Sequence, residues 1–219
     1  ESSSSRCLPV QRIQLGAMPQ LSNKEQSKLR DQAEQLSSKP EPAELKQELN
    51  QPYAQCVSIA EANELIRSIT KAYLDAGFFS ISIEPEPAEQ GVSTWQVYVA
   101  KITDIDNQTQ LPTARLFGNI VGKPANMAVL DQAVSNGERV IDSPLLLDIY
   151  PVGKDVRIKV SHQGQIDKVK GDIQWRYDPD DSYGHNQIAL HGTLRNVFGQ
   201  ADLTSLSLQQ SLTDKYGYD

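Results

Sequence analysis

The sequence predicts an α+β fold: two small mixed units in tandem, followed by antiparallel strands. Three observations carry this. Two capped amphipathic helices begin 68 residues apart, at Ser58 and Asn126. Each is followed by alternating segments that read as strands and a hairpin, so the pattern strand, helix, strand, hairpin occurs twice without repeating its residues. Beyond residue 165 the helical period disappears, and segments of about ten alternating residues replace it.

The elements follow in order. Residues 1–5 are a Ser-rich tether. "CLPVQRIQL" (7–15) reads as a strand, with Ile13 and Leu15 facing one way and Arg12 and Gln14 the other. Residues 23–36 read as a polar helix, and 37–52 as a charged, proline-bounded insertion. Ser58 and Glu61 form a capping box for the strongest helix, whose predicted apolar stripe is Ile59, Ala62, Ile66, Ile69 and Tyr73. Gly77 ends it, because glycine takes a left-handed conformation without a Cβ penalty. Period 2 then sets in: Phe79, Ile81 and Ile83 share one face, and Ser80, Ser82 and Glu84 the other. A turn over 85–92 leads to "STWQVYVA", where Trp95, Val97 and Val99 alternate with polar residues.

The second unit opens with a short strand at 102–105. Asn126 caps a helix carrying Met127, Leu130 and Val134 and ending near Gly137. Leu145, Leu147 and Ile149 alternate, "PVGK" turns, and Val156, Ile158 and Val160 alternate back. In the third part, Val169, Ile173, Trp175 and Tyr177 share a face. So do Ile188, Leu190 and Leu194, and then Leu206, Leu208 and Leu212, with a turn at 195–202. This pattern fits an outer-membrane barrel and ordinary hairpins equally well.

Composition bounds the function. The chain has 219 residues, 38% of them hydrophobic, and a formal net charge of −7. The acidic balance argues against nucleic acid, which needs clustered Lys and Arg. No apolar run reaches the length of a membrane helix, and "ESSSSR" has no signal-peptide core, as a mature or trimmed chain also would not. Cys7 and Cys56 lack metal-ligand spacing. They read as two buried thiols or as one disulfide closing a loop of about 50 residues, worth roughly 4 kcal/mol. The disulfide is the preferred reading, and it implies an oxidising compartment.

Catalytic patterns are poor. His162, His185 and His191 have no nucleophile motif beside them, and phosphate-loop, zincin and calcium-loop spacings are missing. No cofactor is expected. "DPDD" (178–181) reads as a hairpin turn. Glu84 and Glu86 are a formal candidate for a glycosidase pair. Residues two apart on a strand share one face, however, and Pro85 and Pro87 are expected to end that strand, so a solvated terminus is the better reading. In this element order the hairpin's second strand pairs with both the first strand and the post-helix strand. Residues 78–84 are then left at the sheet edge, where main-chain groups can pair with an extended partner. An ordinary protected edge that binds nothing has the same signature.

Three stretches, "CLPVQRIQL", "CVSIAEANELIRSITKAYLDAGFFSISI" and "VYVAKITDI", together resemble the first polypeptide-transport-associated (POTRA) domain of the two-partner secretion transporters, the haemolysin activator family. "LFGNIVGKPANMAVLDQAVSNGERV" is similar to the helical part of the second such domain. "GTLRNVFGQADLTSLSLQQS" resembles early barrel strands, with an N-x-x-G-x-x-D turn before an alternating strand. The resemblance implies two β-α-α-β-β POTRA domains, at 6–101 and 102–164, and the first strands of an outer-membrane barrel at 165–219. About three strands cannot close a barrel, which needs at least about eight, so the chain is expected to be a fragment of the transporter.

The resemblance also implies a periplasmic position and the Cys7–Cys56 pairing. It further implies capture of an unfolded exoprotein (a haemolysin, adhesin or toxin with an N-terminal secretion domain) for delivery to the pore. The expected contacts are main-chain pairing along Phe79, Ile81 and Ile83, with apolar contacts from Leu130, Val134, Leu147 and Ile149. Acidic domains favour an apolar, hydrogen-bonded contact with modest salt dependence. A soluble periplasmic binding or assembly module built from similar domains is the alternative.

Overall fold

The computed structural model describes residues 7–8, 10–37, 57–177 and 186–212. The tether, Cys56, His185, the acidic turn at 178–181 and the insertion beyond Ser37 lie outside them. The chain forms two compact units. The first gathers Glu1–Thr103, Val121–Ala128 and Pro151–Val156; the second gathers Asp104–Ile120, Val129–Tyr150 and Arg157–Asp219.

In the first unit, the predicted opening strand is two pieces, β1 (Cys7–Leu8) and β2 (Arg12–Leu15). They separate because they serve different partners. β1 pairs antiparallel with β3 (Val57–Ser58), and β2 pairs parallel with β5 (Val92–Val99). Helix α1 (Asn23–Ser37) starts from a capping box that the sequence reading passed over. Ser22 Oγ accepts from the Glu25 N–H (3.3 Å), and the Glu25 carboxylate accepts from the Ser22 N–H (3.1 Å).

Helix α2 (Ile59–Asp75) is capped by Ser58 as expected, the hydroxyl accepting from the Glu61 N–H at 3.2 Å. Its end is a Schellman arrangement. Gly77, at φ 91°, donates to Leu74 O, and Phe78 donates to Tyr73 O. The buried stripe differs from the predicted one at two places: it is Ala62, Leu65, Ile69 and Tyr73, so Leu65 stands in for Ile66 and Ile59 drops out, Ile59 and Ile66 being each 37% exposed. Both Leu65 and Ile66 lie within reach of an i, i+3, i+4 pattern, and the sheet selects Leu65. Tyr73 is fully buried. It meets Phe78 edge-on and donates its hydroxyl to Pro19 O at 2.8 Å.

The sheet order is β2-β5-β4, with β4 (Ile81–Pro85) antiparallel to β5. Ile13, Leu15, Trp95, Val97 and Val99 face the two helices, and Ile81 and Ile83 pack on the rim of that core. The central position of β5 and the edge position of β4 are those the sequence implied.

The next elements are β6 (Ile102–Asn107), the short α3 (Thr113–Phe117), α4 (Met127–Ile141), β7 (Leu145–Val152) and β8 (Asp155–His162), with sheet order β6-β8-β7; their ends at 102–103, 127–128 and 151–156 belong to the first unit and the rest to the second. The side chain of Asn126 caps α4 by accepting from the Ala128 N–H at 2.9 Å. Gly137 does not end this helix. It is buried inside α4 against Leu116 and Leu145, and the helix runs on to Ile141, where Asp142 takes φ 57°. The glycine is there for close packing, a use that sequence position alone does not separate from a cap.

Three further strands form a meander: β9 (Val169–Tyr177), β10 (Asn186–Arg195) and β11 (Leu203–Leu212), in the order β11-β10-β9. The register places Ile188 beside Trp175, and Leu190 between Ile173 and Leu208, so the apolar residues share one face. That face is open, with Ile173 75% and Trp175 70% exposed. The other face is polar: Gln209 donates to Gln187 (2.7 Å), and His191 and Ser207 lie 3.0 Å apart.

The β10–β11 turn is built by its two terminal side chains. The Asp202 carboxylate accepts from the N–H groups of Val197, Phe198 and Gln200, and Asn196 Oδ1 accepts from the Ala201 N–H. Desolvation pushes the Asp202 carboxyl up, but these backbone donors together outweigh it and hold it below its usual range. The predicted turn motif therefore has a direct physical content.

Candidate functional site

The candidate site is the free side of β4. Beyond β5, no second strand pairs with β4 among the described residues. Which groups it presents follows from its ladder. Ala100 N–H donates to Ser80 O (2.9 Å) and Glu86 N–H donates to Thr94 O (2.8 Å), so the even-numbered residues turn their main chain towards β5. In an antiparallel pair hydrogen-bonded and non-hydrogen-bonded residues alternate, so Ile81, Ile83 and Pro85 turn theirs outward. Phe79 lies before the strand and is half-buried.

The strand ends at the first of its prolines, as the sequence implied. Pro85 is its last residue, opposite Trp95, because the N–H it lacks is not one that β5 needs.

The two faces differ. Ile81 and Ile83 lie on the core side. Ser82, Glu84, Gln96 and Tyr98 lie on the other, opposite one another in the register. Over this polar face sits the Pro151–Val156 turn. Asp155 Oδ1 accepts from the Tyr98 hydroxyl (2.8 Å) and from the Lys101 N–H (2.8 Å). Lys154 pairs with Glu84, and its ammonium lies 5.9 Å from the centre of the Tyr98 ring. The Lys101 N–H and the Tyr98 hydroxyl hold the Asp155 carboxyl below its usual range, and the bond to Asp155 raises the Tyr98 hydroxyl.

Glu84 does not fit a glycosidase acid. Its hydrogen bond to Lys154 lowers its pKa, whereas a general acid needs it raised. The Glu86 carboxylate accepts from the Gln96 amide at 3.3 Å. Among the described residues, no group of three or more His, Cys, Asp or Glu could hold a metal ion.

The other predicted contact residues belong to the second unit and are not alike. Leu130 is 1% exposed, a core side chain of α4 that cannot touch a partner without opening the helix. It read as a surface residue because a helical stripe looks the same whichever surface it meets. Val134, Leu147 and Ile149 are half-buried, and the more exposed apolar side chains Leu146 and Tyr150 lie on the opposite face of β7. Cys7 lies opposite Ser58 in the β1–β3 ladder, two residues in sequence from the other cysteine. The Lys154–Asp155 turn was missed. Only a short "PVGKD" turn marks it, and its partners are about 55 to 70 residues away in sequence.

No family model matches this chain. It is 27% identical over 166 residues to the haemolysin transporter protein HpmB of Proteus mirabilis, covering 70% of this chain and 28% of that protein. It is 25% identical over 222 residues to the haemolysin transporter protein ShlB of Serratia marcescens, covering 95% of this chain and 34% of that one. The chain therefore spans about a third of the length of these relatives. Among solved structures, CdiB from Escherichia coli shares its fold with a TM-score of 0.74 at 18% identity, over 96% of this chain and 38% of that one. CdiB from Acinetobacter baumannii does so with a TM-score of 0.61 at 17% identity, over 97% and 40%. Sequence and fold agree along nearly the whole chain: over about a third of their length it is similar to the haemolysin transporter proteins, and it shares the fold of the two CdiB proteins.

Proposed function

We propose that this chain is the periplasm-facing part of an outer-membrane two-partner secretion transporter, and that it captures an unfolded exoprotein by adding a strand to β4. The observation that carries the capture reading is the outward main chain of Ile81 and Ile83, beside an apolar rim on one face and a polar, charge-paired face on the other. Residues 6–101 and 102–164 act as the two capture domains, and 165–219 start the barrel through which the exoprotein leaves. A second contact falls to Val134, Leu147 and Ile149. The relatives' names as haemolysin transporters support the exoprotein as cargo. Neither a cofactor nor nucleic acid takes part.

The test is binding of the N-terminal secretion domain of a haemolysin-type exoprotein. Ile81→Pro removes one outward donor and leaves the β5 ladder whole, so the variant stays folded and binds at least about fivefold more weakly. Unchanged binding by a folded variant rejects this edge. The Cys7–Cys56 disulfide is part of the same proposal. Thiol labelling of denatured, unreduced periplasmic protein then finds no free thiol, and two free thiols reject it.

A further inference from the structure

β4 has two sides with different hydrogen-bonding duties, and its prolines fall on only one of them. Every backbone donor that β5 uses comes from an even-numbered residue, and both prolines, Pro85 and Pro87, occupy odd positions. On the outward side the donors therefore run through Ile81 and Ile83 and stop. Pro85 still offers its carbonyl, but no N–H follows it in the strand.

We propose that Pro85 is a specificity-determining residue of the capture edge: it sets the length and register of the strand that β4 accepts. This rests on the capture reading above and adds to it a boundary. The occupant is an extended polypeptide segment, apolar at alternate positions. Its inward side chains continue the Ile81–Ile83 rim, and its outward ones meet the polar face of Ser82, Glu84 and Lys154. Its pairing ends at Pro85, so a strand that slides towards Glu86 gains no further donor. A longer run of donors would bind extended chains more tightly but in several registers, and would invite the edge of a second copy.

The probe is a synthetic peptide copying Ser93–Ala100, "STWQVYVA", whose sequence already pairs with β4 from its other side. Backbone amide exchange is followed residue by residue in the full chain, with and without the peptide. The expected result is new protection at Ile81 and Ile83 but not at Ser82 or Glu84, whose amides already face β5. In Pro85→Val the restored amide also becomes protected, and the peptide binds about fivefold tighter, the worth of one added hydrogen bond. Pro85→Ala restores the same donor with a smaller side chain and must agree; it decides the matter if the valine variant does not fold. Protection at Ile81 and Ile83 with no gain at position 85 in either variant overturns the boundary and leaves the capture edge standing. No protection at Ile81 and Ile83 overturns the edge itself.

Discussion

Single residues show where sequence and structure part. Tyr73, Ser58, Asn126 and Asp202 do what their chemistry announces, because each acts on main chain within a few residues or fills a stripe that its own helix defines. Lys154 and Asp155 do not announce themselves. A lysine and an aspartate after a Gly turn are ordinary surface residues until the fold brings Glu84, Tyr98 and Lys101 to them. Asp155 also sets a pH dependence. Its folded pKa lies below the ordinary value, so its contribution is complete above the unfolded pKa of about 3.9 and is lost as pH falls through the folded one. Asp155→Asn therefore lowers stability at neutral pH and flattens its fall between about pH 5 and pH 2. Urea midpoints across that range check it; two curves that keep a constant separation down to pH 2 would remove Asp155 from the acid transition.

At the scale of elements, type and order were legible, and faces were legible to within one position. Strand β5 alternates so strictly that its buried face could be read directly, and the burial follows it. Helix α2 shows the limit. Leu65 and Ile66 are adjacent, both apolar, and both compatible with the stripe; only the sheet beneath decides between them. Truncation separates them: Leu65→Ala should cost about 2–5 kcal/mol and Ile66→Ala under about 1 kcal/mol. Denaturant midpoints at constant slope measure both, and equal losses would mean that α2 is rotated from the position described. The edge position of β4 was legible because one central strand cannot leave both neighbours inside. The outward orientation of its odd residues was not, since period 2 fixes which residues share a face but not which ladder partner they address.

For the whole molecule, the apolar face of β9, β10 and β11 governs behaviour in water. Ile173, Trp175, Leu206 and Leu208 are more than half exposed, on a contiguous face with a polar reverse. Such a face needs lipid, detergent or another sheet. Chain 1–219 should therefore sediment above its monomer mass of 24.3 kDa or carry bound detergent, while a chain ending at residue 164 sediments as a monomer. Two plain monomers, with no added protease sensitivity beyond residue 165, would show that these strands are satisfied on their own and would count against their assignment to a barrel. The sequence carried this third region well, since its signal lies in alternation and in the Asn196–Asp202 turn. It could not separate a lipid-facing strand from a solvent-facing one, because both alternate identically.

The two-sided ladder of β4 also has a genetic consequence. In a library carrying proline at each position from Ile81 to Glu84, the losses should obey a parity rule. Proline at Ser82 or Glu84 breaks a bond to β5 and removes the folded protein; proline at Ile81 or Ile83 spares abundance and, under the capture proposal, removes only secretion. Selection for folding and selection for export would then act on interleaved codons of one strand. This segment could change what it recognises without renegotiating how it folds.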